Sequence, residues 1–103
     1  MVNDNLNWLK PKAANILIHL LNEKEINLTD LQRKVGGSYT SIYSAINALI
    51  DAALITEEKR ASAKLDSKRA VVIGVSRVFS LTSKGKKIAK KLLEINKIME
   101  EEK

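Results

Sequence analysis

Near the start of the chain, Leu9, Ala13, Ile16, Leu17, Leu20 and Leu21 recur at three- and four-residue steps. That spacing predicts a helix over about residues 8–22, buried along one stripe. Pro11 suits its first turn, where a missing N–H is no loss. Residues 23–26 make a connection, and Leu28, Leu31 and Val35 bury a short second helix. Thr29 and Gln32 stand at capping-box spacing, with Asp30 favourably placed in the same turn. Gly36 can take the left-handed conformation that ends this helix.

A third helix follows, capped by Ser38 or Thr40 and continuing to about residue 53. Ile42, Ile46, Leu49 and Ala53 form its core face, and Thr40, Tyr43, Ser44, Asn47 and Asp51 the opposite one. The outer face carries short hydrogen-bonding groups and a tyrosine in place of the usual Lys/Glu/Arg mixture. Residues 54–60 and 71–81 then read as strands of one long hairpin, with turn formers at the centre of Lys64-Leu65-Asp66-Ser67-Lys68-Arg69. Val71, Ile73, Val75, Phe79 and Leu81 share a face with Arg77, and Gly74 marks a place to bulge or break. The last helix starts near Thr82. Its Ile88, Leu92, Ile95 and Met99 form a short heptad-like seam, with Leu93 and Ile98 adding apolar surface beside it.

At 103 residues the chain fits one domain. Hydrophobic content of 45% with 29% charged residues describes a globular protein. No apolar run is long enough for a membrane span, and the first residues lack the basic flank and apolar run of a signal peptide. Without cysteine there are neither disulfides nor thiolate metal sites, which suits the cytoplasm. The distribution of charge says more than the net of +6. Residues 59–91 hold eleven basic side chains against Asp66 alone, a local +10, so the flanks are acidic on balance. Such lopsidedness points to a polyanionic partner; the alternative is a solvated face kept soluble by lysine.

Two short helices joined by Gly36-Gly37, with a basic-tipped hairpin behind them, are the parts that hold a helix against a DNA groove. The order resembles the winged helix-turn-helix transcriptional regulators, MarR-like and PadR-like. Three motifs carry the resemblance: Thr40-Ser41-Ile42-Tyr43-Ser44-Ala45-Ile46-Asn47-Ala48-Leu49 as the recognition helix; Ala53-Leu54-Ile55 where those families often have Gly-Leu-Ile; and Leu81-Thr82-Ser83-Lys84-Gly85 matching Leu-Thr-x-x-Gly. Ala53 departs from the usual glycine, and Asp66-Ser67-Lys68-Arg69 from an Asp-x-Arg wing signature. The resemblance implies an α+β, mostly helical fold: a three-helix helix-turn-helix core, a two-stranded wing and a C-terminal dimerisation helix over 82–101. The whole chain, 1–103, would form one DNA-binding domain.

The function expected is a homodimeric regulator reading double-stranded DNA, with residues 39–53 in the major groove and the wing, about 60–72, on the minor groove and backbone. Thr40, Ser41, Tyr43, Ser44 and Asn47 are the reading candidates, Asn47 being suited to bidentate contact with adenine. Tyr39 is secondary, its alternative being packing against the second helix. No arginine lies on this helix, so specificity should be modest and supplemented by DNA shape. Lys64, Lys68 and Arg69 are expected at the wing tip, on phosphate or in the minor groove. Arg60 and Arg77 would line the hairpin stem, with cross-strand pairing to Glu57 or Glu58 plausible for one of them. Lys34 and Arg33 end the second helix and face the DNA backbone, or simply complement that helix's dipole. Lys84, Lys86 and Lys87 occupy first turns where the dipole disfavours positive charge, so either an anion lies nearby or they keep the surface soluble. Ile88, Leu92, Ile95 and Met99 are the expected dimer interface.

No enzyme is expected. His19 lies off the apolar stripe without a second ligand at metal spacing, and adjacent Glu57 and Glu58 on a strand point to opposite faces. No metal, cofactor or membrane partner is expected. The rival readings are a non-specific architectural DNA-binding protein and a winged helix used only for protein contact.

Overall fold

The computed structural model describes residues 4–66 and 69–101, with side chains over 5–61 and 75–101. A 3-10 turn, Asp4–Leu6, leads into α1 (Pro11–Glu23), β1 (Glu25–Asn27), α2 (Leu28–Val35), α3 (Tyr39–Asp51), β2 (Ile55–Asp66), β3 (Arg69–Leu81) and α4 (Ser83–Glu101). The radius of gyration is 16.2 Å, against about 13 Å for a compact chain of this length. Two long excursions account for the excess: the β2–β3 hairpin and the outer half of α4.

Proline sets the start of α1. The helix begins at Pro11 itself, three residues later than the apolar spacing predicts, and Lys10 before it makes no side-chain cap. Trp8 instead lies in the lead-in segment, buried, its indole Nε1 donating to the Asn5 carbonyl at 2.8 Å. Leu9, expected in the buried stripe, is exposed for the same reason: it precedes the helix.

Residues 23–26 are more than a connection. Glu25–Asn27 forms a strand antiparallel to β3, with Ile26 opposite Phe79, so the sheet has three strands in the order β1-β3-β2. Ile26 and Phe79 are both buried, which is the gain that holds so short a strand. The two-stranded wing is thus the free part of a three-stranded sheet. Asn27 also caps α2, its Oδ1 accepting from the Asp30 N–H at 2.8 Å. This displaces the expected Thr29–Gln32 box, and Gln32 Nε2 donates instead to the Gly37 carbonyl at 3.0 Å. In the hairpin, Ser62 opposes Gly74 and Ala63 opposes Val72, leaving Ile73 as the extra residue of a bulge beside Gly74.

The core gathers Ala13, Ile16, Leu17 and Leu20 of α1, Leu31 of α2, Ile42, Ile46 and Leu49 of α3, then Leu54, Ile55, Phe79 and Ala89. Among the described residues no buried side-chain nitrogen or oxygen lacks a hydrogen-bond partner.

One junction fixes α3 to α4. The N–H of Leu54 bonds the Leu49 carbonyl at 3.0 Å and that of Ala53 the Ile50 carbonyl at 2.9 Å, a Schellman pair with Ala53 at φ 61°. That backbone conformation explains the glycine preferred at this place. Thr82 Oγ1 donates to the Ala53 carbonyl at 2.7 Å and accepts from the Gly85 N–H at 3.0 Å, so one hydroxyl caps α4 and ties it to the turn. Gly85 sits so close that a Cβ there would lie 1.9 Å from the Leu54 carbonyl oxygen. Leu-Thr-x-x-Gly is therefore a docking motif: threonine makes the bond and glycine allows the approach.

Candidate nucleic-acid interface

The turn before α3 sets how its first residues are presented. Gly36 and Gly37 have φ of 78° and 87°. Lys12 Nζ, reaching from α1, donates to the Gly36 carbonyl at 3.1 Å, and a Cβ on Gly37 would strike that same ammonium group. Ser38 caps α3, its Oγ accepting from the Ser41 N–H at 3.2 Å, while Ser41 Oγ donates back to the Ser38 carbonyl. With Ile42, Ile46 and Leu49 fully buried behind it, the helix turns Thr40, Tyr43, Ser44 and Asn47 to solvent; Ser41 is half-buried. Tyr39 does not pack away against α2. It is 48% exposed, its ring centroid 6.2 Å from that of Tyr43.

Both stem arginines are paired. Arg77 donates through Nε to Glu57 at 3.1 Å and through Nη2 to the same oxygen, with its guanidinium 5.2 Å from the Tyr43 ring centroid and 5.5 Å from that of Phe79. The wing stem therefore lies against the exposed face of α3. Arg60 points elsewhere: it grips Glu25 bidentately at 2.9 Å and Glu58 at 2.9 Å, closing β2 onto β1. Hydrogen bonds from these arginines hold the carboxyls of Glu57, Glu25 and Glu58 below the usual carboxylate range, and raise both guanidinium groups in turn.

Lys34 pairs with Glu23 at 3.0 Å, and Arg33 with Asp30 at 3.5 Å. Lys34 and Arg60 share a cleft of about 210 Å³ whose other walls include Glu23, Glu25 and Asp30. That acidic setting opposes a phosphate. The exposed face of α3 and Arg77 come together; Lys34 and Arg60 belong to a different cluster. At the wing, the register brings Lys64 opposite Val71 and Arg69 opposite Asp66. The side chains of Lys64 and Arg69 and all of Lys68 lie outside the described residues.

Three basic residues beside this face were not singled out from the sequence as candidates. Lys10 and Lys12 flank a cleft of about 260 Å³ with Ser41 and Ser44, beside the outer face of α3. The signal was present: α1 opens with positive charge and no acidic residue in its first turn, a placement its dipole disfavours. Lys59 is a third, opposite Arg77 in register and hence on the same face of the hairpin. The same breach at α4 now has a local cause for one residue. Lys84 Nζ donates to the Ala52 carbonyl at 3.2 Å, where the end of α3 exposes an unpaired carbonyl.

On α4, Ile88 and Leu92 pack partly against the domain's own core, whereas Ile95, Ile98 and Met99 are 56%, 57% and 66% exposed. Leu6, Trp8, Leu9, Ile88 and Leu92, with Lys87 and Lys91 at its edge, wall an apolar groove on the first half of α4.

No protein-family model matches the chain, and no curated protein does. Solved structures do. The chain is similar to ytfH of Salmonella typhimurium, assigned as a transcriptional regulator, at a TM-score of 0.72 and 20% identity over 93% of this chain and 75% of that one. A transcriptional regulator homologue of Pyrococcus horikoshii matches at 0.65 and 21% identity, over 94% and 85%. The chain is a winged-helix protein. A third match, overoxidized AbfR bound to DNA, has a TM-score of 0.63 and 15% identity, covering 87% of this chain and 60% of that one. The three-helix core, wing and following helix thus agree with the resemblance carried by the three motifs. Among the described residues no helix is long and apolar enough to cross a membrane, and no group of three metal-binding side chains occurs.

Proposed function

We propose that this winged helix is a regulator that binds double-stranded DNA, with α3 in the major groove and the hairpin tip on the adjacent backbone or minor groove. The carrying observation is the outer face of α3, where Thr40, Tyr43, Ser44 and Asn47 stand in solvent on a helix buried along its other side. A neutral, hydrogen-bonding face of that kind matches base edges, which offer donors and acceptors without charge. AbfR, of the same fold, has been captured on DNA. Asn47 reads adenine, and Thr40, Ser44 and Tyr43 supply permissive contacts. Lys64, Lys68, Arg69, Lys10 and Lys59 supply the electrostatic affinity, while Lys34 and Arg60 contribute least because carboxylates surround them. The protein acts as a homodimer through the exposed Ile95, Ile98 and Met99 of α4, and it performs no catalysis.

Selection of bound fragments from random DNA, followed by footprinting, tests the reading. A recovered inverted repeat with half-sites about 10 base pairs apart supports a two-fold regulator. Uniform coverage would favour an architectural protein, a reading encouraged by the lack of Arg and Lys on α3 itself. No binding to any duplex at about 50 mM salt would leave only protein contact.

A further inference from the structure

A guanidinium in a basic wing is ordinarily counted as a phosphate contact. Arg77 does not have the setting of one. Its side chain is 28% exposed. Both donating nitrogens go to one oxygen of Glu57. Its guanidinium carbon lies 5.5 Å from the ring centroid of Phe79, which is fully buried, and 5.2 Å from that of Tyr43, which is on the outer face of α3. Glu57 stands opposite Phe79 and Arg77 opposite Lys59, so the ion pair runs diagonally across the hairpin. From Tyr43 the contacts continue to Tyr39, in the first turn of α3. The series Glu57, Arg77, Tyr43, Tyr39 thus links the wing stem to the N-terminal end of the recognition helix.

We propose that Arg77 is a positioning residue: clamped by Glu57 and stacked on Tyr43, it sets the orientation of the reading face relative to the wing, and so governs sequence selectivity without donating charge to DNA. The proposal rests on the DNA-binding reading. Its physical basis is that a planar guanidinium fixed at both its edge and its face holds one distance and one tilt, whereas a lysine ammonium holds neither. Selectivity depends on such geometry because bidentate base contacts tolerate little displacement. Phosphate contacts tolerate more.

The test uses the full chain and its Arg77→Gln, Arg77→Lys and Glu57→Gln variants, each titrated with the duplex that wild type selects and with a random-sequence duplex, over a salt series. All three variants should lower the ratio of the two affinities, by roughly 3- to 10-fold, the scale of one lost cation–π contact. The salt slope should stay at the wild-type value. A phosphate-binding Arg77 would behave otherwise. Arg77→Gln would then flatten the slope by about 0.9, Arg77→Lys would restore it, and Glu57→Gln would leave binding intact or tighten it. That pattern overturns the proposal. Tyrosine ring NMR signals of the free protein give a second readout that needs no DNA. Tyr43 should shift in the same sense in Glu57→Gln and Arg77→Lys, and an unmoved Tyr43 signal refutes the clamp. Should wild type bind no duplex at all, the DNA reading fails while the ring signals still decide whether Glu57 acts on Tyr43 through Arg77.

Discussion

At the C-terminal end of α3 the carbonyls of Ala52, Ala53 and Leu54 are taken by Lys84, by the Thr82 hydroxyl and by the Thr82 N–H. Along the outer face of the same helix, from its first turn to its third, Thr40, Tyr43, Ser44 and Asn47 face solvent. The C-terminal end is bonded through its carbonyls to the start of α4; the outer face offers side chains to solvent. The difference teaches that folding and reading are divided along a single helix. Residues that hold α3 in place can be changed with a stability penalty, and residues that contact a partner can be changed with almost none.

The sharpest way to break this division is Gly85→Ala. A methyl 1.9 Å from the Leu54 oxygen cannot be accommodated without moving α4, and a loss of about 3 kcal/mol or more is expected. Urea unfolding measures it. Thr82→Val removes both the cap of α4 and the bond to Ala53, and should cost about 1.5 kcal/mol in the same assay. Ala53→Gly should act in the opposite direction. Relief of a left-handed alanine is worth about 1–2 kcal/mol, offset by up to about 1 kcal/mol of extra freedom in the unfolded chain, for a net gain of about 0.5–1 kcal/mol.

Those three residues also show how far the sequence could be read. Ala53 at the place of a glycine and Leu-Thr-x-x-Gly were both visible as a pattern, but their bonds join residues about thirty positions apart, such as Thr82 to Ala53. The period of α3 was legible because its apolar and polar faces separate cleanly at three- and four-residue steps. β1 was not, since three residues with one buried side chain, Ile26, carry no periodicity. The cap of α2 was misplaced because Asn27 and Thr29 compete two positions apart, and only the chain direction leaving β1 favours Asn27. Least legible were the carboxylate partners of Lys34 and Arg60. A run of cations reads as a nucleic-acid surface until partners such as Glu25, 35 residues away from Arg60, are brought beside it.

Acid titration sharpens the comparison at the stem. Glu57 is held below its ordinary 4.5 chiefly by hydrogen bonds from Arg77. A carboxyl lowered in the folded state stabilises fully above its unfolded value and ceases to do so as pH falls through the folded one. Wild type should therefore resist urea equally from pH 7 to about 5 and weaken below about 4.5. Glu57→Gln should start weaker at pH 7 and lose less on acidification. Smallest of all is Asn47→Ala, which should leave the unfolding free energy within about 0.5 kcal/mol of wild type, since the position is exposed and alanine suits a helix.

The same variant gives the most direct test of the central claim that the outer face of α3 reads sequence. Affinity for the selected duplex is compared with affinity for a random one, for wild type and Asn47→Ala, between about 50 and 200 mM salt, where charge contacts show themselves. The ratio should fall by about tenfold, the scale of one lost base contact, with the salt slope unchanged. An unchanged ratio, or a loss spread equally over both duplexes, would contradict it.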